Sequence, residues 1–380
     1  MNKMLYFIII VSFLDTFIQL PIITPYALEL GSSHILAGGI VAVYSLTNMI
    51  GNVVGGHWID RFGRKKMLFI GMLSAAFILL LYPFAQTGGE LFVVRLLHGL
   101  AGGLLIPAAF AYVGDQSSKR TRGKSMALTG ACIGTAAIIG PAIGGIMAAR
   151  SQIDYVFYLV AGLFFVATIL LLLFVKESFT TGERKGVSIK HFIPLLKHPL
   201  LLQASLAAFA LMVSNGTLAF ALPLKVADMG LDSETTGMLL STFGIVALIV
   251  FLTPLNRMYD RFSPITLVVI GLSFISFVHI LLNFTTNYVV SFLLMVVYGF
   301  GFAFVFPSMN RIVADASSKL DRGKAYGIFY AFFSLGSVAG SFMSGAAAEI
   351  IGLPFTTSAA IMLSIGLILL YMSRKKSYDV

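Results

Sequence analysis

The stretch Asp115-Gln-Ser-Ser-Lys-Arg-Thr-Arg-Gly-Lys124 returns later in the chain as Asp315-Ala-Ser-Ser-Lys-Leu-Asp-Arg-Gly-Lys324. Seven of the ten positions are identical, and the two copies lie 200 residues apart. The same separation relates Asp60-Arg61-Phe62 to Asp260-Arg261-Phe262, and Pro107 to Pro307. Self-similarity at a fixed distance indicates that one half of the chain is a tandem copy of the other.

The chain is too apolar for a water-soluble fold. Hydrophobic residues make up 58% of the 380 residues and charged residues only 11%, whereas soluble domains carry about 25% charged residues. A membrane-spanning helix needs about 20 mostly apolar residues. Twelve such stretches occur, at 4–27, 35–58, 67–86, 91–114, 124–149, 154–175, 200–225, 236–257, 265–284, 288–313, 324–348 and 353–373.

We therefore predict an all-α integral membrane protein with twelve transmembrane helices in two pseudo-symmetric six-helix bundles. The N-terminal bundle spans residues 1–175, a cytoplasmic linker covers 176–199, and the C-terminal bundle spans 200–380. Duplicated six-helix halves are the build of secondary transporters, whose substrate site lies at the interface of the repeats.

The basic residues are distributed by topology. The net charge is +10, but 22 of the 26 basic residues fall in loops on one side of the predicted membrane. This bias predicts that both termini are cytoplasmic. The basicity therefore does not indicate a nucleic-acid partner.

Neither a disulfide nor a metal site is expected. Cys132 is the only cysteine, and the six histidines lack the spacing of metal ligands. We expect no cofactor.

The loop after the second predicted span reads Gly56-His-Trp-Ile-Asp60-Arg61-Phe-Gly63-Arg64-Lys65-Lys66. Asp60 ends a helix, where the helix dipole disfavours an anion, so its carboxylate needs a cation such as Arg64 or a neighbouring helix N-terminus, such as the start of the eleventh predicted span near Lys324. The pattern resembles the signature loop of the major facilitator superfamily. We interpret Gly56, Asp60, Arg61, Gly63 and Arg64 as a conformational latch; a basic loop that only sets topology is the alternative.

The fourth predicted span opens with Arg95-Leu-Leu-His98-Gly99-Leu-Ala-Gly102-Gly103. It resembles the Arg-x-x-Gln-Gly-x-x-x-Gly element of the same superfamily, with His98 in place of Gln. A charge within a span is costly and usually functional. The alternative is that Arg95 reaches outward to the lipid headgroups.

The fifth predicted span contains Gly140-Pro141-Ala-Ile-Gly144-Gly145. Small residues allow close helix approach, and Pro141 removes a backbone hydrogen bond. The string resembles the element that marks antiporter branches of the superfamily; generic helix packing is the alternative.

Asp15 is the only acid that we place well inside a span. It stands in Phe13-Leu-Asp15-Thr16-Phe-Ile-Gln19-Leu-Pro21-Ile-Ile-Thr-Pro25, which resembles the first helix of drug:proton antiporters. Burial favours the neutral form of a carboxyl group and a nearby cation favours the charged form, so such a group can switch protonation. We predict that Asp15 and Arg95 carry proton coupling, in direct contact or linked through water or His98. The alternative is an acid neutralised by Thr16 or Gln19.

Further polar residues in the spans are candidates for a substrate pathway, or for hydrogen bonds between helices. They are Gln19, Asn48, Asn52, His98, Tyr112 and Asn215.

The resemblance covers nearly the whole chain and implies a proton-coupled antiporter that exports a small amphipathic drug or metabolite by alternating access. It implies a monomer in a bacterial plasma membrane, with protons, lipid and a small substrate as its partners. A proton symporter or uniporter that imports a nutrient stays open on the same fold. A membrane enzyme is disfavoured because no catalytic cluster of His, Asp, Ser and Cys is present.

Overall fold

The computed structural model describes residues 3–116, 122–178, 193–196, 198–317 and 322–378. Within these ranges the regular structure is helical throughout. The helices are α1 (Lys3–Ile18), α2 (Ile23–Glu29), α3 (His34–Phe62), α4 (Arg64–Leu79), α5 (Gly88–Gln116), α6 (Arg122–Arg150), α7 (Asp154–Phe174), α8 (Ile193–Leu196), α9 (Pro199–Asp228), α10 (Ser233–Leu252), α11 (Met258–Arg261), α12 (Pro264–Phe284), α13 (Tyr288–Ala316), α14 (Arg322–Ile351) and α15 (Thr356–Tyr378). Short 3-10 turns follow α4 at Tyr82–Phe84 and α10 at Pro254–Arg257.

Eleven helices of the described chain are long and apolar enough to cross a membrane. The helices α1 and α2 make a twelfth span when they are counted together, with a bend of 46° between them. The prediction of an all-α, twelve-helix membrane protein is thereby confirmed.

The first predicted span, 4–27, was wrong as a single helix. The helix α1 ends at Ile18 and α2 begins at Ile23, with Pro21 in the turn between them. Proline has no backbone N–H, and its ring collides with the carbonyl group four residues earlier, here that of Phe17. The break places Asp15 on the last turn of α1.

A second proline shortens the predicted span 236–257. The helix α10 ends at Leu252, and Pro254 opens the 3-10 turn that follows. In the first copy, α3 continues without a break to Phe62 because no proline interrupts it. The two copies of the signature loop therefore have different backbones.

The chain forms two compact units by its internal contacts. One comprises Met1–Gly182 with Gly230–Ser241, and the other Glu183–Met229 with Thr242–Val380. In the first, α1 packs against α6 and α7, and α4 against α5 and α7; in the second, α9 packs against α14 and α15, and α12 against α13 and α15. The same pairs recur one repeat later, as expected for a duplicated half.

The predicted bundle boundaries remain a prediction. Much of the predicted linker, at 179–192 and 197, lies outside the described residues.

Glycine allows α3 to lie directly on α5. A Cβ atom on Gly103 would stand 2.7 Å from the Cα atom of Gly51. Contacts this short require glycine on both helices, as is common where membrane helices pack backbone to backbone. The packing fixes the side chains that α3 and α5 direct towards α1.

Candidate functional site

The carboxylate of Asp15 is buried and engaged through both oxygen atoms. Only 1% of the side chain is exposed. Its Oδ1 accepts a hydrogen bond from Gln19 Nε2 at 2.8 Å, and Nε2 also reaches the carbonyl oxygen of Asp15 at 2.9 Å. Its Oδ2 lies 3.1 Å from His98 Nε2. Of the partners proposed in the alternative, Gln19 contacts the acid, whereas Thr16 pairs with the hydroxyl group of Tyr44 at 3.1 Å.

Arg95 turns into the protein from α5 and reaches the acid through Gln19. Its Nη1 donates to Gln19 Oε1 at 3.0 Å, and its Nε donates to the carbonyl oxygen of Ile40 at 3.4 Å. The guanidinium carbon lies 4.3 Å from the ring centre of Tyr44, a cation–π contact. Arg95 is only 6% exposed, so it does not extend to headgroups as the alternative required.

His98 joins the acid to a tyrosine. The imidazole is fully buried, and its Nδ1 lies 2.9 Å from the hydroxyl oxygen of Tyr82. The ring meets Tyr44 and Tyr82 edge-on, with centroid distances of 5.3 and 5.6 Å. Tyr82 is held by stacking on Phe157 at 4.3 Å and by Tyr26, whose hydroxyl group donates to the Tyr82 carbonyl oxygen at 2.7 Å.

We call the side chains of Asp15, Gln19, Arg95, His98 and Tyr82 the buried network. It contains an acid, a base and a cation. Hydrogen bonds through Gln19 link the acid to the cation, the base lies 3.1 Å from the acid, and both charged residues are at most 6% exposed. An isolated charge in a membrane interior is costly, whereas an acid and a base linked through an amide offset each other. The arrangement can hold a proton and can change its net charge by one unit.

The second unit repeats this geometry without the charges. Two hundred residues after Asp15 and His98 stand Asn215 and Tyr298, and the Nδ2 of Asn215 donates to the hydroxyl oxygen of Tyr298 at 3.4 Å. Met295 replaces Arg95. Among the residues whose burial the structure describes, Asp15 is the only buried acid, and the second unit has instead a buried imidazole, His279, stacked on Tyr298 at 5.9 Å.

The other predicted pathway residues lie apart from the buried network. Asn52 donates through Nδ2 to Oδ1 of Asn48 at 3.0 Å on α3. Tyr112 is 3% exposed and donates to the carbonyl oxygen of Lys176 at 2.6 Å, which ties α5 to the segment after α7. Asn215 lies in the second unit. Their assignment to a pathway remains a prediction.

Glu177, three residues after the end of α7, caps the start of α4. Its Oε1 accepts from the backbone N–H of Arg64 at 3.0 Å, and its Oε2 from that of Lys65 at 3.1 Å. An anion here satisfies free N–H groups and complements the helix dipole. Gly63 makes room for it: its φ is +100°, and a Cβ atom would lie 2.6 Å from Glu177 Oε2.

Arg64 also reaches the end of α5. Its Nε lies 2.8 Å from Oδ2 of Asp115, which also accepts from Ser178 Oγ at 3.2 Å. These contacts connect the signature loop to α5 and to the segment after α7.

Two other residues of the predicted latch, Arg61 and Gly56, make fewer contacts with neighbouring helices than Gly63 and Arg64 do. Arg61 places its guanidinium carbon 5.3 Å from the ring centre of Phe62, and a Cβ atom on Gly56 would meet nothing within 4 Å. The side chain of Asp60 lies outside the described part of the structure, so its predicted partners remain a prediction. The latch itself remains a prediction.

The Gly-Pro-x-x-Gly-Gly string lies where α6 touches two other helices. A Cβ atom on Gly140 would lie 2.8 Å from that of Phe17, and one on Gly144 would overlap the carbonyl oxygen of Ile18. On another face, a Cβ atom on Gly145 would overlap the carbonyl oxygen of Ser233 at the start of α10. The string thus sets the position of α1, which carries Asp15.

Pro141 lies in the same contact between α6 and α10. A Cβ atom on Gly237 would overlap the carbonyl oxygen of Pro141. At the ends of the two helices, Arg150 holds Glu234 through two hydrogen bonds of 3.1 Å.

Sequence reasoning missed Tyr82, Tyr44, Glu177 and Asp115. The two tyrosines resemble many other aromatic residues of the spans, and only the fold brings them to Arg95 and His98. Glu177 carried a weak signal, since it is an acid placed directly after a span and before a basic segment.

Comparison with known proteins finds one transporter superfamily and, among the relatives, bacterial drug-resistance proteins. The sequence profile of the Major Facilitator Superfamily matches residues 5–302 and 204–379. Multidrug resistance protein 1 of Bacillus subtilis (strain 168) is 26% identical over 366 residues, which cover 94% of this chain and 92% of that protein. Quinolone resistance protein NorA of Staphylococcus aureus (strain COL) is 27% identical over 358 residues, 91% of this chain and 90% of that protein.

The fold is shared with solved transporters. A bacterial homologue of the human lysosomal transporter Spinster, in an inward-facing and occupied conformation, superposes with a TM-score of 0.81. The match covers 98% of this chain and 96% of that chain at 13% sequence identity.

Proposed function

We propose that this chain, which belongs to the Major Facilitator Superfamily, is a proton-coupled antiporter that exports a small amphipathic drug or metabolite by alternating access. The observation that carries the proposal is the buried network, in which Asp15 and Arg95 are linked through Gln19. The names of the relatives, multidrug and quinolone resistance proteins, support the substrate class.

The charge balance of the buried network provides the coupling. Without an added proton, Asp15 and Arg95 carry opposite charges and the network is neutral. Uptake of one proton leaves a net positive charge in a medium where an uncompensated charge is costly. A protonated network therefore repels a cationic substrate, and binding of such a substrate favours release of the proton. This antagonism is what exchange requires.

The setting of the protein is part of the proposal. We place it in a bacterial plasma membrane as a monomer with both termini in the cytoplasm, because basic residues concentrate in alternate loops. A proton gradient drives transport without a cofactor, and no nucleic acid takes part. In this scheme the loop at Asp60 closes the cytoplasmic side.

Transport by purified protein in proteoliposomes tests the proposal. Ethidium and norfloxacin serve as probes, and a pH gradient is imposed in either direction. We expect the probe to move against the proton flux, and an efflux-deficient bacterium that expresses the chain to grow at higher concentrations of both. Movement of the probe in the same direction as the protons would show symport and would overturn the proposal.

A further inference from the structure

His98 occupies a position that the proposed exchange does not yet use. It stands where the resembling superfamily element has glutamine, and it is fully buried. Its Nδ1 lies 2.9 Å from the Tyr82 hydroxyl oxygen, and its Nε2 lies within ion-pair distance of Asp15 Oδ2, at 3.1 Å, but outside hydrogen-bond geometry. Glutamine can offer hydrogen bonds there but cannot take up a proton, whereas imidazole can.

We propose that His98, with Asp15 as its counter-anion, is the group that takes up the coupling proton, and that Tyr82 delivers it. The proposal rests on the proposed function and names the residue that holds the proton.

The proton transfer balances with a hydronium ion as the proton source. In the unloaded state, His98 is neutral: its Nδ1 accepts from the Tyr82 hydroxyl group, and its Nε2 lies 3.1 Å from the carboxylate of Asp15, outside hydrogen-bond geometry. On loading, the O–H proton of Tyr82 passes to Nδ1 while hydronium donates a proton to the Tyr82 oxygen and becomes water. The product is an imidazolium that donates to Tyr82 through Nδ1 and faces the carboxylate of Asp15 with Nε2–H. One proton is gained and no electron moves.

The surroundings of His98 permit both states. The ionisable groups that face it are Asp15 from α1, Tyr44 from α3, Tyr82 from the turn after α4, and Arg95 one helical turn away on α5. Asp15 is the only anion of this set, and it favours the imidazolium. Arg95 opposes the imidazolium: its guanidinium donates to Gln19, lies over the Tyr44 ring and also reaches the Tyr82 hydroxyl oxygen at 3.5 Å. Because the two effects oppose each other, the proton can leave as well as enter.

The second unit supports this assignment because it has uncharged residues at the positions that correspond to Asp15 and His98. Asn215 and Tyr298 take the places of Asp15 and His98 and keep a hydrogen bond at 3.4 Å. A role in helix packing alone is satisfied by that neutral pair. The acid and the imidazole are therefore additional to what the fold needs at this place.

The test uses His98→Gln, which restores the glutamine of the resembling element. We expect ethidium exchange to persist in proteoliposomes, with its half-maximal pH lowered by about one unit or more, since the proton must then bind to a carboxyl group rather than an imidazole. His279→Gln is the matched control, because His279 is also fully buried but lies in the second unit beside Ser214. It should leave the pH profile in place. An unchanged profile in His98→Gln would overturn the proposal.

A second measurement follows His98 in the wild-type protein and does not depend on the variant. Deuterium exchange at the ring carbon of each histidine, followed by mass spectrometry, reports the charge state of His98 against pH. We expect its midpoint to coincide with that of ethidium transport. Proton-driven transport with a His98 that keeps one charge state refutes this inference alone. A His98 that titrates without proton-driven transport refutes the proposed function instead.

Discussion

Gln19 lies between Asp15 and Arg95 and bridges them by hydrogen bonds. Within the described part of the chain, the structure shows no direct hydrogen bond or ion pair between the acid and the cation. The amide oxygen of Gln19 accepts from Arg95 at 3.0 Å, and its amide nitrogen donates to Asp15 at 2.8 Å. The reverse orientation of the amide would set N–H groups against the guanidinium, so the two partners fix it. A charge change at Asp15 is thus transmitted to Arg95 through one rotatable side chain.

Asp15→Asn should insert and fold normally but lose proton-driven transport. The amide has the size of the carboxylate and can still accept from Gln19, so little stability is lost, but it cannot supply the negative charge. We expect ethidium to equilibrate across proteoliposomes without uphill movement. Glu90→Gln is the control, because Glu90 is an exposed acid of the same unit. Full uphill transport by Asp15→Asn would remove this acid from the mechanism.

Replacement of Arg95 should move the pH profile in the opposite direction to His98→Gln. Arg95→Ala removes the positive charge that disfavours protonation of its neighbours, so half-maximal transport should shift to higher pH. Arg95→Lys keeps the charge and should stay nearer to the parent, although it loses the forked contacts to Gln19 and Ile40. The measurement is ethidium exchange at stepped pH. Identical profiles in all three proteins would mean that Arg95 only anchors α5.

At the scale of elements, the connection from α3 to α4 depends on one backbone conformation. Gly63 has φ +100° and ψ 158°, a region that is essentially restricted to glycine. The same residue ends α3, opens α4 and leaves space for the carboxylate of Glu177. The segment after α7 is thereby held to the start of α4.

Gly63→Ala should destabilise the protein by about 1–3 kcal/mol through backbone strain, and should displace Glu177 as well. Gly56→Ala lies only seven residues earlier, within α3, and its new methyl group meets open space. We therefore expect a clear drop in the melting temperature of detergent-purified Gly63→Ala and almost none for Gly56→Ala. Equal melting temperatures would show that the connection tolerates a side chain.

The elements themselves could largely be predicted from the sequence, because about 20 apolar residues between basic loops are a strong local signal. The predicted helix ends were wrong where a proline interrupts the helix, at Pro21 and Pro254. The site could be predicted only in part. A lone acid and a lone arginine in apolar spans stand out, but the amide between them and the tyrosines around them depend on how α1, α3 and α5 pack.

At the scale of the whole molecule, duplication produced two units with similar helix pairing and different chemistry. The first keeps an acid, an imidazole and a guanidinium, and the second has Asn215, Tyr298 and Met295 at the corresponding positions. Asp15 is the only buried acid among the residues whose burial the structure describes, so this arrangement supports one coupling proton rather than two.

Exchange of one proton for one monocation moves no net charge, so ethidium transport should respond to a pH gradient but not to a membrane potential. A gradient of one pH unit, about 1.4 kcal/mol, should sustain about a tenfold ethidium ratio. A norfloxacin zwitterion carries no net charge, so its exchange for a proton moves one charge, and 100 mV should change the driving force by about 2.3 kcal/mol. Proteoliposomes clamped with potassium and valinomycin allow both gradients to be set separately. Ethidium transport that accelerates with the potential would require a second coupling proton, and would contradict a single site at Asp15 and His98.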